Sequence, residues 1–422
     1  MSTALASTRT SQRRSLSSFS ATSTSFSHAI GSIDSSKPAV VIEIGTNLTK
    51  CGFAGDKVPR IVRTQFRDEL LQVHKNLIDE NGTTIQPNIK NIFKFFKYLF
   101  YNVLITMPRE RRVIIVESVF TPTELRQAIC KVLLEILHVP SVLFMPSHLC
   151  ATFPFNTKNA LVLDVGIKES SAIPIAEGVT MLNNWEISKV GYSLLANRVK
   201  ELMFEFGRII EIDGNERVLS EEDWQHVVDY DILEEIICRS LFCTSKERSL
   251  LIQKGEEALL DPVPVSYEIP IKTESLKVPG IVRETACEVF FDKNSEDDPP
   301  LQILLNRLID KLPIDLRRQM FSGILVTGGV SLIPGFLSRL KEELILCTSE
   351  KENKANNVVK FYHFAGQSTS MYLNWLGGSL FGSLQEAVQL RSLTRDQWLS
   401  NATVPDWTDY VEHGYQCGKL EV

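Results

Sequence analysis

The sequence predicts an α/β protein made of two duplicated halves. The first observation is a repeated pattern of a buried apolar strand, an acid, one apolar residue and a glycine, at residues 40–45 (VVIEIG) and 161–166 (LVLDVG). The second is an alternation of strand-like and helix-like segments beyond Lys37, which is typical of mixed sheets covered by helices. The third is the length of 422 residues, which suffices for two or more domains with cores of their own.

Both copies of the pattern continue into a second turn of small residues, at 52–56 (GFAGD) and 174–178 (PIAEG). Two strands joined by a tight turn form a β-hairpin. Free N–H groups in such a turn can bind a phosphate, and an acid at the strand end can hold a divalent ion. Two such hairpins, one in each half, predict a nucleotide held between the halves.

Other segments fit the same class. Residues 112–119 predict a strand, and Pro122 marks the first turn of a helix that covers residues 125–137. The remaining predicted elements are a buried strand at 161–164, a helix at 231–241, a strand at 323–327 ended by Gly328 and Gly329, and an amphipathic helix at 334–344.

Composition excludes some classes of protein. A net charge of −6, with 23% charged residues, gives no basis for a nucleic-acid or membrane partner. The eight cysteines are scattered without a C-x-x-C pair, so we expect reduced thiols in a cytoplasmic protein. The most apolar stretch, residues 98–107, is too short to span a bilayer, and we expect it to be a buried helix end.

Residues 1–37 differ from the remainder of the chain. They hold 18 Ser or Thr and a single acid, Asp34, together with Arg9, Arg13 and Arg14. Such a segment buries too little apolar surface to fold, so a disordered tail that is open to phosphorylation is the favoured interpretation. The alternative is a transit peptide, which is also rich in Arg and Ser and poor in acids.

Four motifs in the same order resemble actin. They are residues 50–60 (KCGFAGDKVPR), 161–178, 327–329 (TGG) and 375–380 (WLGGSL). They are similar to the opening hairpin, the second phosphate hairpin, the adenosine loop and the closing motif of actin, in that order. The resemblance covers the chain from Pro38 to about Leu384.

The resemblance implies an actin-like fold, in which two duplicated large domains surround a nucleotide cleft. Beyond the tail at 1–37, one large domain is expected to consist of residues 38–154 and 373–422, with 66–87 as a reduced outer subdomain. The other is expected to consist of residues 155–372, with about 191–285 as its outer subdomain.

Departures from the actin motifs bear on the phosphates. The first hairpin reads EIGTN against Asp-Asn-Gly-Ser-Gly in actin, so Thr46 keeps a hydroxyl, and Lys50 keeps the phosphate-facing cation. The second reads DVGIK against Asp-Ser-Gly-Asp-Gly, so Asp164 and Gly166 remain while the second acid and second glycine are lost. Lys168 either replaces lost main-chain contacts with charge or is a solvated turn residue.

On the adenosine side, Gly328 and Gly329 let the main chain approach a nucleotide closely. Glu234 matches an acid of the actin helix that contacts the nucleoside, although two lysines of the actin site are absent here. The resemblance implies ATP or ADP with Mg as a structural ligand, with Asp164 reaching Mg through water. The alternative is that the glycines serve only the turns.

Hydrolysis requires a water held in line with the γ-phosphate by side chains that can accept its proton. Counting back from Asp164 without gaps, Ser147 stands where actin has its water-positioning glutamine, and Ser171 stands where it has the partner histidine. Serine is too short and too weak a base, so we expect no catalytic residue and no enzyme. His148 is expected to point away from Ser147 into a core or surface role.

In actin, the segment that corresponds to the stretch between Arg60 and Phe100 forms the small outer subdomain. Here this segment is shorter, and little of the subdomain remains beyond residues 64–87. A filament subunit needs two different complementary faces, so a subunit that loses one face terminates the filament. These features resemble the branch of the actin family at the pointed end of dynactin, which links the dynein motor to cargo. The resemblance implies a structural subunit of the cytoplasm and cytoskeleton, active in microtubule-based transport, whose partners are an actin-related filament subunit and other pointed-end subunits.

Two other functions stay open. One is a non-polymerising nuclear actin-related subunit of a chromatin-remodelling complex, which long insertions or basic patches would favour. The other is a weak actin-like ATPase, which would require an intact second hairpin and a catalytic base. The shortened segment and the acidic net charge favour the capping subunit.

Overall fold

The computed structural model describes most of the chain from Lys37 onward. The described residues are 37–64, 87–226, 230–255, 263–271, 273–293, 298–349, 358–364, 367–401 and 403–404. All of the predicted tail but Lys37, and all of the predicted outer subdomain at 66–87 but Pro87, lie outside these ranges. Both stay predictions.

Sixteen strands are described. They are β1 (Val40–Ile44), β2 (Leu48–Phe53), β3 (Arg60–Arg63), β4 (Val113–Glu117), β5 (Ser141–Pro146), β6 (Ala160–Val165), β7 (Ser170–Ala176), β8 (Val179–Thr180), β9 (Glu186–Ser188), β10 (Arg208–Ile210), β11 (Glu216–Val218), β12 (Tyr267–Ile271), β13 (Glu274–Val278), β14 (Ile324–Thr327), β15 (Phe361–Tyr362) and β16 (Leu393–Thr394).

Fourteen α-helices are described. They are α1 (Ile89–Tyr98), α2 (Thr123–Cys130), α3 (Ser147–Cys150), α4 (Tyr192–Phe206), α5 (Glu221–His226), α6 (Tyr230–Glu235), α7 (Lys246–Gln253), α8 (Gly280–Thr285), α9 (Leu301–Lys311), α10 (Ile314–Phe321), α11 (Phe336–Ser349), α12 (Leu373–Gly382), α13 (Gln385–Arg391) and α14 (Arg395–Asn401). Wider π-helical turns extend three of them, at Leu99–Val103, Lys131–Ile136 and Ile236–Ser240.

The described strands form three sheets. The first has the order β16–β5–β4–β1–β2–β3, and the second has the order β15–β14–β6–β7–β8, with β9 also paired to β7. The third, β11–β10–β13–β12, lies between α4 and α8 in the chain. Parallel strands at the centre of both large sheets (β1 with β4, β6 with β14) confirm the α/β class. The domain boundaries stay predictions.

The two hairpins of the repeated pattern have the same register. In β1–β2, Ile44 is paired with Thr49, and in β6–β7, Val165 is paired with Ser170. Each turn therefore opens with the glycine of the pattern. Each first strand then has a parallel neighbour on its other side, so the two halves repeat the same arrangement.

Both faces of the two large sheets are buried against helices. In β1, Ile42 packs in one core with Phe95 of α1, whereas Val41 packs in another with Trp375 of α12. In the second sheet, Leu373 of α12 packs with residues of β6 and β14. Because the side chains of a strand alternate between faces, the apolar runs in the sequence fill both cores. Helix α12 thus contacts both sheets.

The apolar stretch 98–107 is only half buried. Leu99 and Phe100 are buried, but Tyr101, Ile105 and Met107 are exposed. The expectation of a buried helix end is therefore wrong for the second half of this stretch, because hydropathy reports composition and not which side chains the fold covers. None of the described helices is both long and apolar enough to cross a bilayer.

Candidate functional site

The turns of the two hairpins are built alike. The N–H of Gly45 donates to the carbonyl of Leu48 at 3.1 Å, and the N–H of Gly166 donates to the carbonyl of Glu169 at 3.0 Å. A Cβ on either glycine would lie within 3.0 Å of the same carbonyl oxygen, at 2.6 and 2.9 Å. Glycine is therefore a steric requirement of both turns.

The residue after each glycine offers a main-chain donor. Among the described residues, no acceptor lies within hydrogen-bonding distance of the N–H groups of Thr46 and Ile167. These N–H groups occupy the same position in the two turns. Unpaired main-chain donors in turns form anion sites in proteins where several of them face one point.

An acid, a lysine and a second acid meet between the turns. Lys50 of β2 donates through Nζ to Oε1 of Glu43 in β1 at 2.7 Å, and both side chains are 14% exposed. Burial raises the pKa of Asp164, which belongs to the other sheet, and the charge of Lys50 opposes this rise. The structure therefore brings the acids of the two repeated patterns to one place, with a lysine between the sheets.

Burial is the main influence on both carboxyl groups. Burial raises the pKa of Glu43. The charge of Lys50 opposes this rise, and the nearby Asp164 carboxylate adds to it. Burial also raises the pKa of Asp164, a rise that Lys50 and then a hydrogen bond from Asn374 oppose. Two buried carboxylates with one shared ammonium group favour a further cation at this site.

The first turn of α12 contributes to both acids. The side chain of Asn374 hydrogen-bonds to Asp164, and the main-chain N–H of Trp375 lowers the pKa of Glu43. The indole Nε1–H of Trp375 donates to the carbonyl of Val41 at 3.0 Å. The beginning of this helix therefore holds the two patterns together, with the positive end of its dipole toward the carboxylates.

The predicted adenosine loop lies next to the second acid. Thr327 pairs with Asp164 in the parallel register of β14 and β6. Gly328 follows with φ of 99°, and a Cβ there would be 2.2 Å from the carbonyl oxygen of Val165. A Cβ on Gly329 would meet nothing within 4 Å. Only the first glycine of the pair is required by packing.

Glu234 is connected to the second turn through Tyr192. The Tyr192 hydroxyl donates to Oε1 of Glu234 at 2.8 Å, while the Tyr192 N–H donates to the carbonyl of Gly166 at 3.0 Å. The thiol of Cys238 is also 3.6 Å from Oε2 of Glu234. The carboxylate is thereby held beside the hairpin that the sequence assigned to phosphate.

His148 lies between the two serines that stand where actin has its hydrolytic side chains. Nδ1 of His148 is 3.3 Å from Oγ of Ser147, and Nε2 is 3.1 Å from Oγ of Ser171. The expectation that His148 points away from Ser147 is therefore wrong, because α3 begins at Ser147 and turns the next side chain toward β7. The ring is buried as a core residue, and burial lowers its pKa to about 4, against the opposite effect of the Ser171 carbonyl.

A comparison with family models decides the family. The model described as Actin matches residues 34–401. This chain belongs to the actin family. The actin-like fold predicted from the four ordered motifs is thereby confirmed.

Individual relatives are distant but match over most of their length. The chain is 26% identical to actin-related protein 10 of Dictyostelium discoideum, over 88% of this chain and 89% of the relative. It is 23% identical to actin-related protein 4 of Candida albicans, over 82% and 91%. It is 25% identical to putative actin-29 of Dictyostelium discoideum, over 87% and 95%. The chain is therefore a divergent actin-related protein.

In this actin-family chain the predicted site residues are grouped unevenly. Contacts or electrostatic effects join Lys50, Asp164 and Gly328, while Gly166 and Glu234 are joined through Tyr192. Thr46 lies in the first turn but, among the described residues, makes no hydrogen bond to any of the other six predicted site residues. Gly329 begins the 3₁₀ segment Gly329–Leu332. Their role in binding nucleotide stays a prediction.

Sequence reasoning missed three contributors, Glu43, Asn374 and Tyr192. Glu43 had a signal, because it is the acid of the first repeated pattern. Asn374 directly precedes the WLGGSL motif, but nothing local pairs it with an acid two hundred residues earlier. Tyr192 has no local signal at all, since only the packing of α4 places its hydroxyl on Glu234.

The donor set fits a nucleotide with a divalent ion. Oε2 of Glu43 is buried and has no hydrogen-bond partner among the described residues, and it belongs to the acid pair that favours a further cation. No group of three or more His, Cys, Asp or Glu that could hold a metal occurs in the described part of the chain. These residues therefore fit an ion held partly by phosphate and water, as Mg²⁺ commonly is. When bound, the ion and nucleotide would supply charge neutralisation and a bridge between the halves.

Proposed function

We propose that this actin-family chain is a structural subunit that caps the pointed end of the short actin-related filament of dynactin, and so supports dynein-driven transport along microtubules. One observation carries the proposal. Strand β3 ends at Arg63 and α1 begins at Ile89, so only this short interval is left for the outer subdomain that actin carries there.

Loss of that subdomain affects one filament face only. Head-to-tail filaments use two different faces of each subunit, and a subunit with one intact face ends the chain of contacts. The similarity to a relative named actin-related protein 10 supports a role as an actin-related structural protein. The same proposal places this chain in the cytoplasm and cytoskeleton.

Exposed apolar side chains lie outside the shortened segment. Leu384, just after α12, and Leu390 of α13 are exposed, and the rings of Phe153 and Phe381 stack at 5.9 Å. Ile314 at the start of α10 is also exposed. Exposed apolar patches of this kind mark interaction sites.

We further propose that ATP or ADP with Mg is a fixed ligand and that the chain is not an enzyme. Thr46, Lys50, Asp164, Gly166, Glu234, Gly328 and Gly329 would hold the nucleotide, and Asp164 would reach Mg through water. His148 supports this proposal, because its ring is buried and both of its nitrogens already contact the hydroxyls of Ser147 and Ser171. Burial lowers its pKa to about 4, so the ring is a weak base for a hydrolytic water.

Electron microscopy of the purified, gold-labelled protein mixed with actin-related filaments tests capping. We expect label at one end of each filament, shorter filaments as more protein is added, and no polymer of this chain alone. Label along the filament sides, or homopolymers of this chain, would contradict the proposal. A variant with Leu384→Asp and Leu390→Asp should lose the end label, while Leu399→Asp, an exposed leucine of α14, should keep it.

The second candidate is a non-polymerising nuclear subunit of a chromatin-remodelling complex. Similarity to relatives named actin-related protein 4, at 23% identity in two yeasts, is the observation that favours it. Affinity purification of the tagged chain from cytosol and from nuclei separates the two candidates. Recovery of dynactin subunits supports capping, and recovery of remodelling subunits from the nuclear fraction alone supports this second candidate.

A further inference from the structure

The outward side of α1 is basic throughout. Lys90, Lys94 and Lys97 are exposed and follow one another at helical spacing, and Tyr101 continues the same line into the π-helical turn. Residues 87–109 contain no Asp or Glu, although the whole chain has a net charge of −6. This is a local reversal of the charge of the protein.

Within the described part of the chain, these three lysines form no ion pair. No Asp or Glu oxygen of those residues lies within salt-bridge distance of Lys90, Lys94 or Lys97. The opposite side of the helix fixes their direction, because Phe95 and Phe96 are fully buried in the core under the first sheet. Like charges three and four residues apart destabilise a helix, so the stability of the fold does not account for this row.

A second, independent feature adjoins the row. Ile105 has φ of 50° and is 82% exposed. A residue in the same left-handed conformation ends the second π-helical turn at His138, with φ of 57°, so the conformation is that of a helix C-terminal cap, and its effect here is to leave the apolar side chain of Ile105 exposed. Hydrogen bonds on both sides of it, Leu104 N–H to Leu99 O at 2.8 Å and Thr106 N–H to Phe100 O at 2.9 Å, hold the loop that presents its side chain.

We propose that this side of the molecule docks an acidic segment of a partner protein that also carries apolar side chains. The docking face consists of Lys90, Lys94, Lys97, Tyr101, Ile105 and Met107. The row of ammonium groups from Lys90 to Lys97, about 10 Å long at the rise of a helix, matches carboxylates spaced along one peptide. The exposed Tyr, Ile and Met at its end would receive the apolar side chains.

A membrane is the less favoured occupant. A helix that binds a bilayer inserts a broad apolar face, whereas the apolar face of α1 packs in the protein core with Ile92, Phe95 and Phe96 fully buried. Only three apolar side chains remain on the docking face. The proposal goes beyond the capping function and does not depend on it, because none of these residues belongs to the nucleotide site or to the apolar patches named for assembly.

Site-specific cross-linking in the full chain tests the proposal in cells. A photo-reactive phenylalanine at Asn102, an exposed neighbour of Tyr101, keeps all three lysines intact. We expect cross-links to a partner segment that is acidic and contains apolar residues, as mapped by mass spectrometry. These cross-links should be lost in K90E/K94E/K97E. They should persist in K254E/K341E/K360E, which changes the net charge equally at exposed lysines elsewhere.

Binding of a defined probe gives a second readout. The probe is a fluorescent helical peptide with Glu at i, i+4 and i+7 and Leu at the intervening core positions. Fluorescence anisotropy should show at least tenfold weaker binding to K90E/K94E/K97E than to the wild type and the control variant. Ile105→Gly should weaken binding several-fold without lowering Tm, because glycine adopts this backbone conformation freely.

Three results would overturn the proposal. Equal probe binding by the wild type and K90E/K94E/K97E, with both folded by circular dichroism, would show that the lysines are not used. Cross-links confined to residues 405–422 of the same chain would make the occupant internal. Sedimentation of the wild type with phosphatidylserine vesicles, without any protein cross-link, would make the occupant a membrane.

Discussion

The indole Nε1–H of Trp375 donates to the main-chain oxygen of Val41 at 3.0 Å, which fastens α12 to the first sheet. Two residues earlier, Leu373 is buried against the second sheet. One helix therefore fixes the distance between the halves, and its first turn reaches the acids of both patterns, Glu43 and Asp164. The candidate site depends on this helix as much as on the hairpins.

Gly328→Ala should destabilise the protein by about 2–4 kcal/mol, because its Cβ would lie 2.2 Å from the carbonyl oxygen of Val165 at φ of 99°. Gly329→Ala is the matched control, with open space around its Cβ, and should change stability by less than about 1 kcal/mol. Urea denaturation of both variants measures the difference. Equal stability of the two variants would mean that the loop relaxes around the added methyl group.

His148 should make stability depend on pH. Its pKa is about 4 in the folded chain against an ordinary value of 6.5, so the unfolded chain binds more protons between these values. The free energy of unfolding should therefore fall as pH falls through this window, by about 2 kcal/mol from pH 7 to pH 5 through this residue. Below pH 4 the loss should level off.

Urea denaturation of His148→Gln at pH 7 and pH 5 checks this dependence. The variant should lack this component of the pH effect, whereas His363→Gln, at an exposed histidine, should retain it. The carboxyl groups are common to all three proteins, so their contribution cancels in the comparison. An unchanged pH slope in His148→Gln would show that its ring is hydrated in solution.

Lys50→Met should weaken binding of ATP or ADP at least tenfold. Lys50 is the cation shared by Glu43 and Asp164, and its loss would leave two carboxylates facing the phosphates. Isothermal titration with Mg–ADP, and chromatography of nucleotide retained by the purified protein, measure the effect. Lys254→Met is the control for a lost surface charge. The same affinity in both variants would show that Lys50 does not contribute to nucleotide binding.

Phosphate release from Mg–ATP should be slower than that of filamentous conventional actin. The reason is that Ser147 and Ser171 are too short and too weakly basic, and that burial lowers the pKa of His148 to about 4, which makes its ring a poor proton acceptor. A continuous phosphate assay gives the rate. Release at the rate of filamentous actin would contradict the proposal, and so would a measurable rate that disappears in Asp164→Asn.

Much of the fold was predictable because its signals are local. The pattern in residues 40–45 and 161–166 predicted both hairpins, and the helix expected from residue 125 begins two residues earlier, at Thr123, directly after Pro122. The expectation for residues 98–107 was wrong because exposure depends on what packs against a segment. The apolar run ends in a turn that buries Leu104 in the core but leaves Tyr101, Ile105 and Met107 exposed.

The sequence by itself determined the class of fold and the two matching turns, because strand burial and turn glycines are requirements of short segments. The resemblance to actin, and not any local rule, singled out Lys50. Only the tertiary structure decided that Asn374 meets Asp164 and that His148 lies between Ser147 and Ser171. These contacts arise where α12 and α3 pack against interior strands of the two large sheets. Hydropathy and motif spacing carry no information about such contacts, because the partners come from distant parts of the chain and meet only when the cores close.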